Sequence, residues 1–173
     1  MTLELFLCNT KFMKYINEDT LSDIEDFLLE KYNPPTVEGT LLFQTISRND
    51  LEKSSLQEII ETPTENFQDK LFNMIKTKNL DEVEIYKRAN ISRQLFSKIR
   101  SEKNYHPAKN TIFSLAIGMK LNIDETSELL DIAGYTFTSA SKTDLIIQYF
   151  LHHNNHNIFA INEVLYKYGL EIL

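Results

Sequence analysis

The sequence predicts a mainly α protein, with a helical body from residue 66 onward and a small acidic α/β segment over residues 1–65. Three observations carry that prediction. Gly and Pro number four each and Trp is absent, too few turn residues for a many-stranded sheet. From Asn66 onward apolar residues recur three and four apart, the spacing of one buried helix face. Strand-like content is confined to two short stretches. Residues 2–8 alternate Leu3, Leu5 and Leu7 with Glu4 and Phe6, and residues 40–46 are rich in Thr, Leu, Phe and Ile.

Each element follows from local chemistry. Ser22 stands three residues before Glu25, the spacing of a capping box, and Leu21, Ile24, Phe27 and Leu28 recur at helical spacing behind it. Asn33-Pro34-Pro35 ends that helix, because a residue before proline is pushed out of the α region. Residues 50–61 read as a second helix, with Leu51, Leu56, Ile59 and Ile60 apolar, and the polar run 61–65 with Pro63 reads as a boundary. Next comes a helix carrying Phe67, Leu71, Phe72, Met74 and Ile75 and ending near Lys78-Asn79. Asp81 caps a short helix over 82–89, and Ser92 caps another over 93–101. The gap between these two is about three residues, as in a helix-turn-helix, and Asn90 supplies the left-handed turn without glycine. Pro107-Ala108 leads into a helix with Ile112, Phe113, Leu115, Ala116 and Met119, and 122–125 opens another that stops near Gly134. Two further helices, about 143–151 and 158–168, complete the chain. The expected organisation is an N-terminal segment 1–65, a helical domain 66–135 and a two-helix extension 136–173.

Apolar residues at 42% and charged residues at 25% exclude a disordered chain, and the single Cys8 excludes an internal disulfide framework. No apolar run is long enough for a bilayer and the N-terminus lacks a secretory pattern, so the expectation is a soluble cytoplasmic protein without membrane contact. The net charge of −7 hides an uneven division. Residues 1–69 hold 5 Lys and Arg against 14 Asp and Glu, residues 70–120 hold 11 against 4, and residues 121–173 hold 2 against 7. A basic block of this kind is either a surface for polyanions or the internal counterweight of its acidic flanks.

The helix over 92–101 is where that block gains chemical meaning. Ile91, Leu95 and Ile99 fall four apart beside Phe96 and form an apolar stripe. Arg93, Gln94, Ser97 and Lys98 lie away from it. Arg can donate two bonds to guanine and Gln can exchange two with adenine, so this face suits a DNA major groove. Ser92, Arg100, Lys103 and Asn104 would face phosphate, as would Lys109, Asn110 and Thr111, where a helix N-terminus presents backbone N–H groups.

Residues 71–130 resemble the five-helix DNA-binding domain of lambda-repressor-like, or XRE-type, regulators. The resemblance rests on Ile85-Tyr86-Lys87-Arg88-Ala89-Asn90-Ile91-Ser92-Arg93-Gln94-Leu95-Phe96-Ser97-Lys98-Ile99, then Pro107 and Asn122-Ile123-Asp124-Glu125. It implies a base-facing set of Arg93, Gln94, Ser97 and Lys98, a double-stranded DNA partner and a homodimer. Glu82 stands where that family usually has Gln, Tyr86 where it has a small residue, and Asn90 where it has the turn glycine. The stretch from Phe67 onward is also similar to a helix-turn-helix-like tail of bacterial and phage-related proteins.

Other signals have ordinary explanations. His152, His153 and His156 fit a polar loop better than a transition-metal site, and Cys8 fits a buried small residue. Tyr149, Phe150, Tyr166 and Tyr168 fit helix packing. No nucleotide-binding glycine loop, serine-nucleophile elbow or metalloprotease helix occurs, so no enzyme, no cofactor, no metal and no catalytic residue is expected. The leading expectation is a transcriptional regulator. The alternative is an interaction protein, antitoxin-like or a phage-defence accessory factor, in which residues 1–65 mask the basic face or engage a protein partner.

Overall fold

A computed structural model describes residues 14–34, 66–102 and 105–173. The described residues are mainly helical: α1 (Glu18–Lys31), α2 (Phe67–Thr77), α3 (Glu82–Arg88), α4 (Arg93–Ser101), α5 (Lys109–Gly118), α6 (Ile123–Ile132), α7 (Lys142–His152) and α8 (Ile158–Lys167). The expected strands at 2–8 and 40–46, the helix at 50–61, the boundary at 61–65, Cys8, Lys103 and Asn104 lie outside the described residues.

Most helix starts follow the capping chemistry. Asn66, Asp81, Ser92, Asn122, Ser141 and Asn157 each accept a first-turn backbone N–H, and Asn122 with Glu125 closes a reciprocal capping box. The first helix corrects one expectation. It begins at Glu18, capped by Asn17, whose Oδ1 accepts from Thr20 N at 2.9 Å. Ser22 is therefore an exposed interior residue, its spacing from Glu25 a coincidence. Asn is as good a cap as Ser and comes first, with Glu18 and Asp19 complementing the helix dipole behind it.

Six of the eight described helices end on one device. Asn79, Asn90, Lys120, Gly134, Asn154 and Gly169 have positive φ. After each, the next N–H bonds back to the carbonyl five residues earlier, as in Ile91 N to Tyr86 O at 3.1 Å and Leu121 N to Ala116 O at 2.9 Å. That residue is apolar or aromatic at Leu80, Ile91, Leu121, Tyr135 and Leu170.

At the centre lies α5. Every residue from Ile112 to Met119 is buried, including Ser114 and Gly118. A helix apolar on all sides has to be covered on all sides, and α3, α6 and α8 pack around it. The contact with α3 is closest at Gly118, where an added Cβ would meet Ile85 O at 2.7 Å and Ala89 Cβ at 2.8 Å. Acidic α1 shares this core. Leu21, Ile24 and Leu28 are buried and α1 packs along α7, with Phe27 edge-on to Tyr149. Glu163 of α8 accepts from Lys14 N at 2.7 Å, Lys167 pairs with Glu25 at 3.0 Å, and Asn33 N donates to Ser139 O at 3.0 Å. Residues 14–34 are thus joined to the C-terminal helices. Tyr166, expected in the packing, is 75% exposed instead, since Ile161, Val164 and Leu165 form the covered face of α8.

Two predictions follow from this packing. Ala normally stabilises a helix relative to Gly by about 0.5–1 kcal/mol. At Gly118 the new methyl meets backbone, so Gly118→Ala should instead destabilise by about 1–3 kcal/mol in urea titration. The Tyr168 hydroxyl is buried with no partner among the described residues, and burial, with the Glu25 charge second, pushes its pKa from 10.0 up to about 12. The folded state therefore holds the neutral phenol after the unfolded chain has begun to ionise, and stability falls as pH rises from about 10 toward 12. Tyr168→Phe should keep or raise stability by up to about 1 kcal/mol at neutral pH and lessen that alkaline loss, read as melting temperature against pH.

Candidate nucleic-acid interface

The corner between α3 and α4 is built from four residues. Ala89 is fully buried against Gly118, Asn90 turns the chain at φ 53°, Ile91 closes the helix end, and Ser92 caps α4 by accepting from Leu95 N at 3.1 Å. On α4, Phe96 and Ile99 are buried while Leu95 is half-buried. Phe96 meets Phe72 of α2 edge-on at 6.0 Å and Tyr86 of α3 at 6.0 Å. The large residue at 86 therefore fills the α3–α4 junction. Gln68 of α2 donates its Nε2 to Arg100 O, fixing the far end of α4.

This anchoring leaves Ser92, Arg93, Gln94, Ser97 and Lys98 exposed. The spacing of one, four and five residues along α4 puts Arg93, Gln94, Ser97 and Lys98 on one outward side. These four, with Ser101 and Glu102, line a shallow depression of about 610 Å³. Arg93 and Gln94 make no side-chain bond or ion pair among the described residues. Lys98 lies 3.9 Å from Glu102 and 5.3 Å from the centre of the Tyr105 ring. A second groove of about 400 Å³ runs between α3 and α4, lined by Glu82, Val83, Tyr86, Arg93, Phe96, Ser97 and Arg100.

Several residues expected at phosphate are placed differently. Arg100 is exposed but paired with Glu82 of α3, its guanidinium 5.5 Å from the Phe72 ring and 5.9 Å from Phe96. Lys109 is turned inward, where its ammonium meets the Asp144 carboxylate and donates to Thr136 O at 2.7 Å. Asp144 is 2% exposed and also accepts from Thr138 N at 2.8 Å and Ser141 Oγ at 3.0 Å, so this node ties the start of α5 to the start of α7. Asn110 donates to Glu171 at 3.1 Å, and Thr111 is half-buried.

The basic block is in part an internal counterweight. Lys70 pairs with Glu128 at 2.8 Å, Lys78 with Glu125 at 2.6 Å, and Lys109 with Asp144, each joining it to the acidic C-terminal block. Within α3, Arg88 pairs with Glu84. Lys76, Lys87, Arg93 and Lys120 have no carboxylate partner among the described residues. The sequence marked Glu82 as a departure from the resembled family but gave no signal of its pairing with Arg100 or of Tyr105 beside Lys98, whereas the Lys98–Glu102 contact follows from i,i+4 spacing.

Two of the histidines serve backbone carbonyls. His153 Nδ1 lies 2.8 Å from Tyr149 O and His156 Nε2 lies 2.9 Å from Leu121 O, and since a carbonyl only accepts, each of these ring nitrogens carries hydrogen. Among the described residues no group of three His, Cys, Asp or Glu side chains gathers for a metal, and no helix is long and apolar enough to cross a membrane.

No protein-family model, curated protein or solved structure matches the chain.

The Lys109–Asp144 node yields a prediction. Asp144→Ala leaves a partly covered ammonium, the Thr138 N–H and the Ser141 hydroxyl without their acceptor, and should cost about 2–4 kcal/mol in denaturant unfolding. Lys109→Met removes the stranded charge and should recover part of that loss in the double variant.

Proposed function

We propose that residues 66–135 form a five-helix, lambda-repressor-like helix-turn-helix domain, α2 to α6, that binds double-stranded DNA through α4 and acts in transcription regulation in the cytoplasm. The observation that carries this reading is that Arg93 and Gln94 are exposed and have no side-chain partner among the described residues, beside Ser97 and Lys98 on a helix whose other side is fixed by Phe96 and Ile99. Arg93 and Gln94 occupy the first turn, the part of a recognition helix that reaches base edges. Arg93 suits guanine and Gln94 suits adenine, each through two bonds, while Ser97 adapts to either. The half-turn of chain at Ser92 supports backbone contacts to phosphate from the same end. A homodimer would present two copies of α4 to half-sites about 34 Å apart, and residues 1–65 would serve a protein partner.

A second reading has its own observation. Asp81 caps α3 and Glu82 and Glu84 stand in its first turn, and three lysines of the basic block are paired with C-terminal carboxylates. A face with this mixture of signs also suits a protein partner, as in an antitoxin-like or phage-defence accessory factor.

Duplex binding measured by fluorescence anisotropy at several salt concentrations separates the two. A groove-binding domain with about six phosphate contacts gives a log–log slope near −5. Arg93→Ala and Gln94→Ala should each cost about 1–3 kcal/mol on the preferred sequence and much less on others. Equal losses on every sequence would move both residues to phosphate, and absence of salt-dependent duplex binding would leave the protein-partner reading.

A further inference from the structure

We infer that the Glu82–Arg100 ion pair is a built-in brake on that duplex contact, an intramolecular carboxylate occupying the arginine that would otherwise take a phosphate. The inference rests on the reading of α4 as the duplex-binding helix. Its observations are independent of base recognition. Arg100 is on the same helix as Arg93, and both line the α3–α4 groove together with Glu82 and Ser97. Of these two arginines, only Arg100 has a carboxylate on it among the described residues, and its guanidinium is drawn over the Phe72 and Phe96 rings. A phosphate arriving at this end of α4 has to displace Glu82 from Arg100 and then remain beside the displaced charge.

The brake is soft by construction. The side chains of Arg100 and Glu82 are 52% and 37% exposed, and exposed pairs of this kind hold weakly against water. They exchange partners quickly and cost little to open. What persists after opening is the repulsion between the Glu82 carboxylate and the phosphate. Glu84 cannot take over Arg100's partner role without leaving Arg88. Glu82 therefore lowers affinity for every duplex alike and leaves the base-reading residues Arg93 and Gln94 untouched. Its effect is on binding strength and salt dependence, with sequence preference unchanged.

A double-mutant cycle on the full chain tests this. Glu82→Gln keeps a carbonyl oxygen for Arg100 and removes the charge. The expected result is three- to tenfold tighter binding to mixed duplex DNA at low salt, with the log–log slope steeper by about one as a phosphate contact is gained. Preference among sequences and melting temperature should stay as in the wild type. Arg100→Gln alone should change affinity little, and the Glu82→Gln/Arg100→Gln double variant should lose the gain in slope. Binding by the wild type with no tightening in Glu82→Gln overturns the brake and leaves the α4 reading standing. A steeper slope that survives in the double variant also overturns it, because the added phosphate contact would then not be made by Arg100. If neither the wild type nor any variant binds duplex at low salt, the α4 reading fails and the brake with it.

Discussion

The position of the α3–α4 corner is set by one contact, the close approach of α3 to α5 at Gly118. A helix of seven residues does not persist by its own hydrogen bonds. What holds α3 is burial of Ile85 and Ala89 against a helix that is covered on every side. Because Gly118 has no side chain, the backbone of α3 can lie against α5 near Ile85 O and Ala89 N. Ala89 is also the last residue before the turn, so the start of α4 is placed four residues from that contact. The candidate interface owes its position to the core and not to the turn alone.

Much of the fold was legible because its signals are local. Helix starts were marked by Asn, Asp or Ser at the cap, and the ends at Asn90 and Gly134 by residues that tolerate positive φ. Lys120 shows where that legibility stops. Lysine gives no warning of a left-handed conformation, and the cause is tertiary, since Leu121 behind it is fully buried and Leu121 N closes the end of α5 on Ala116 O. A better signal was present at all but Asn154, an apolar or aromatic residue just after the turn, as at Leu80, Ile91, Tyr135 and Leu170. Ser22 misled for the opposite reason. A hydroxyl three residues before a carboxylate is common enough to occur inside a helix, and only the earlier Asn17 decides the start.

The candidate site divides along the same line. The exposed face of α4 could be read because helical spacing alone separates Arg93, Gln94, Ser97 and Lys98 from Phe96 and Ile99. The groups that engage Arg100 and Lys109 could not. Glu82 belongs to another helix, and Asp144 is 35 residues from Lys109. Sequence shows how much charge of each sign a block carries, but pairing is a property of the folded chain. The attachment of α1 was hidden likewise. Leu21, Ile24 and Leu28 announce an apolar face without naming α7 as the surface it covers.

The pairing changes what the basic block can contribute to a polyanion partner. Charges committed to Glu125, Glu128 and Asp144 stabilise the union of α2, α5, α6 and α7 and add little field outside it. Around the corner, Arg88 and Arg100 are offset by Glu84 and Glu82. Lys98 is partly offset by Glu102 at 3.9 Å, so the outward field of α4 comes chiefly from Arg93, a narrow source compared with the block that the sequence displays. Long-range attraction falls with such cancellation, whereas short-range hydrogen bonding by Arg93, Gln94 and Ser97 does not depend on net charge. On the proposed reading, a partner of this face would have to be matched at contact distance, its selection resting on the donors and acceptors at the start of α4.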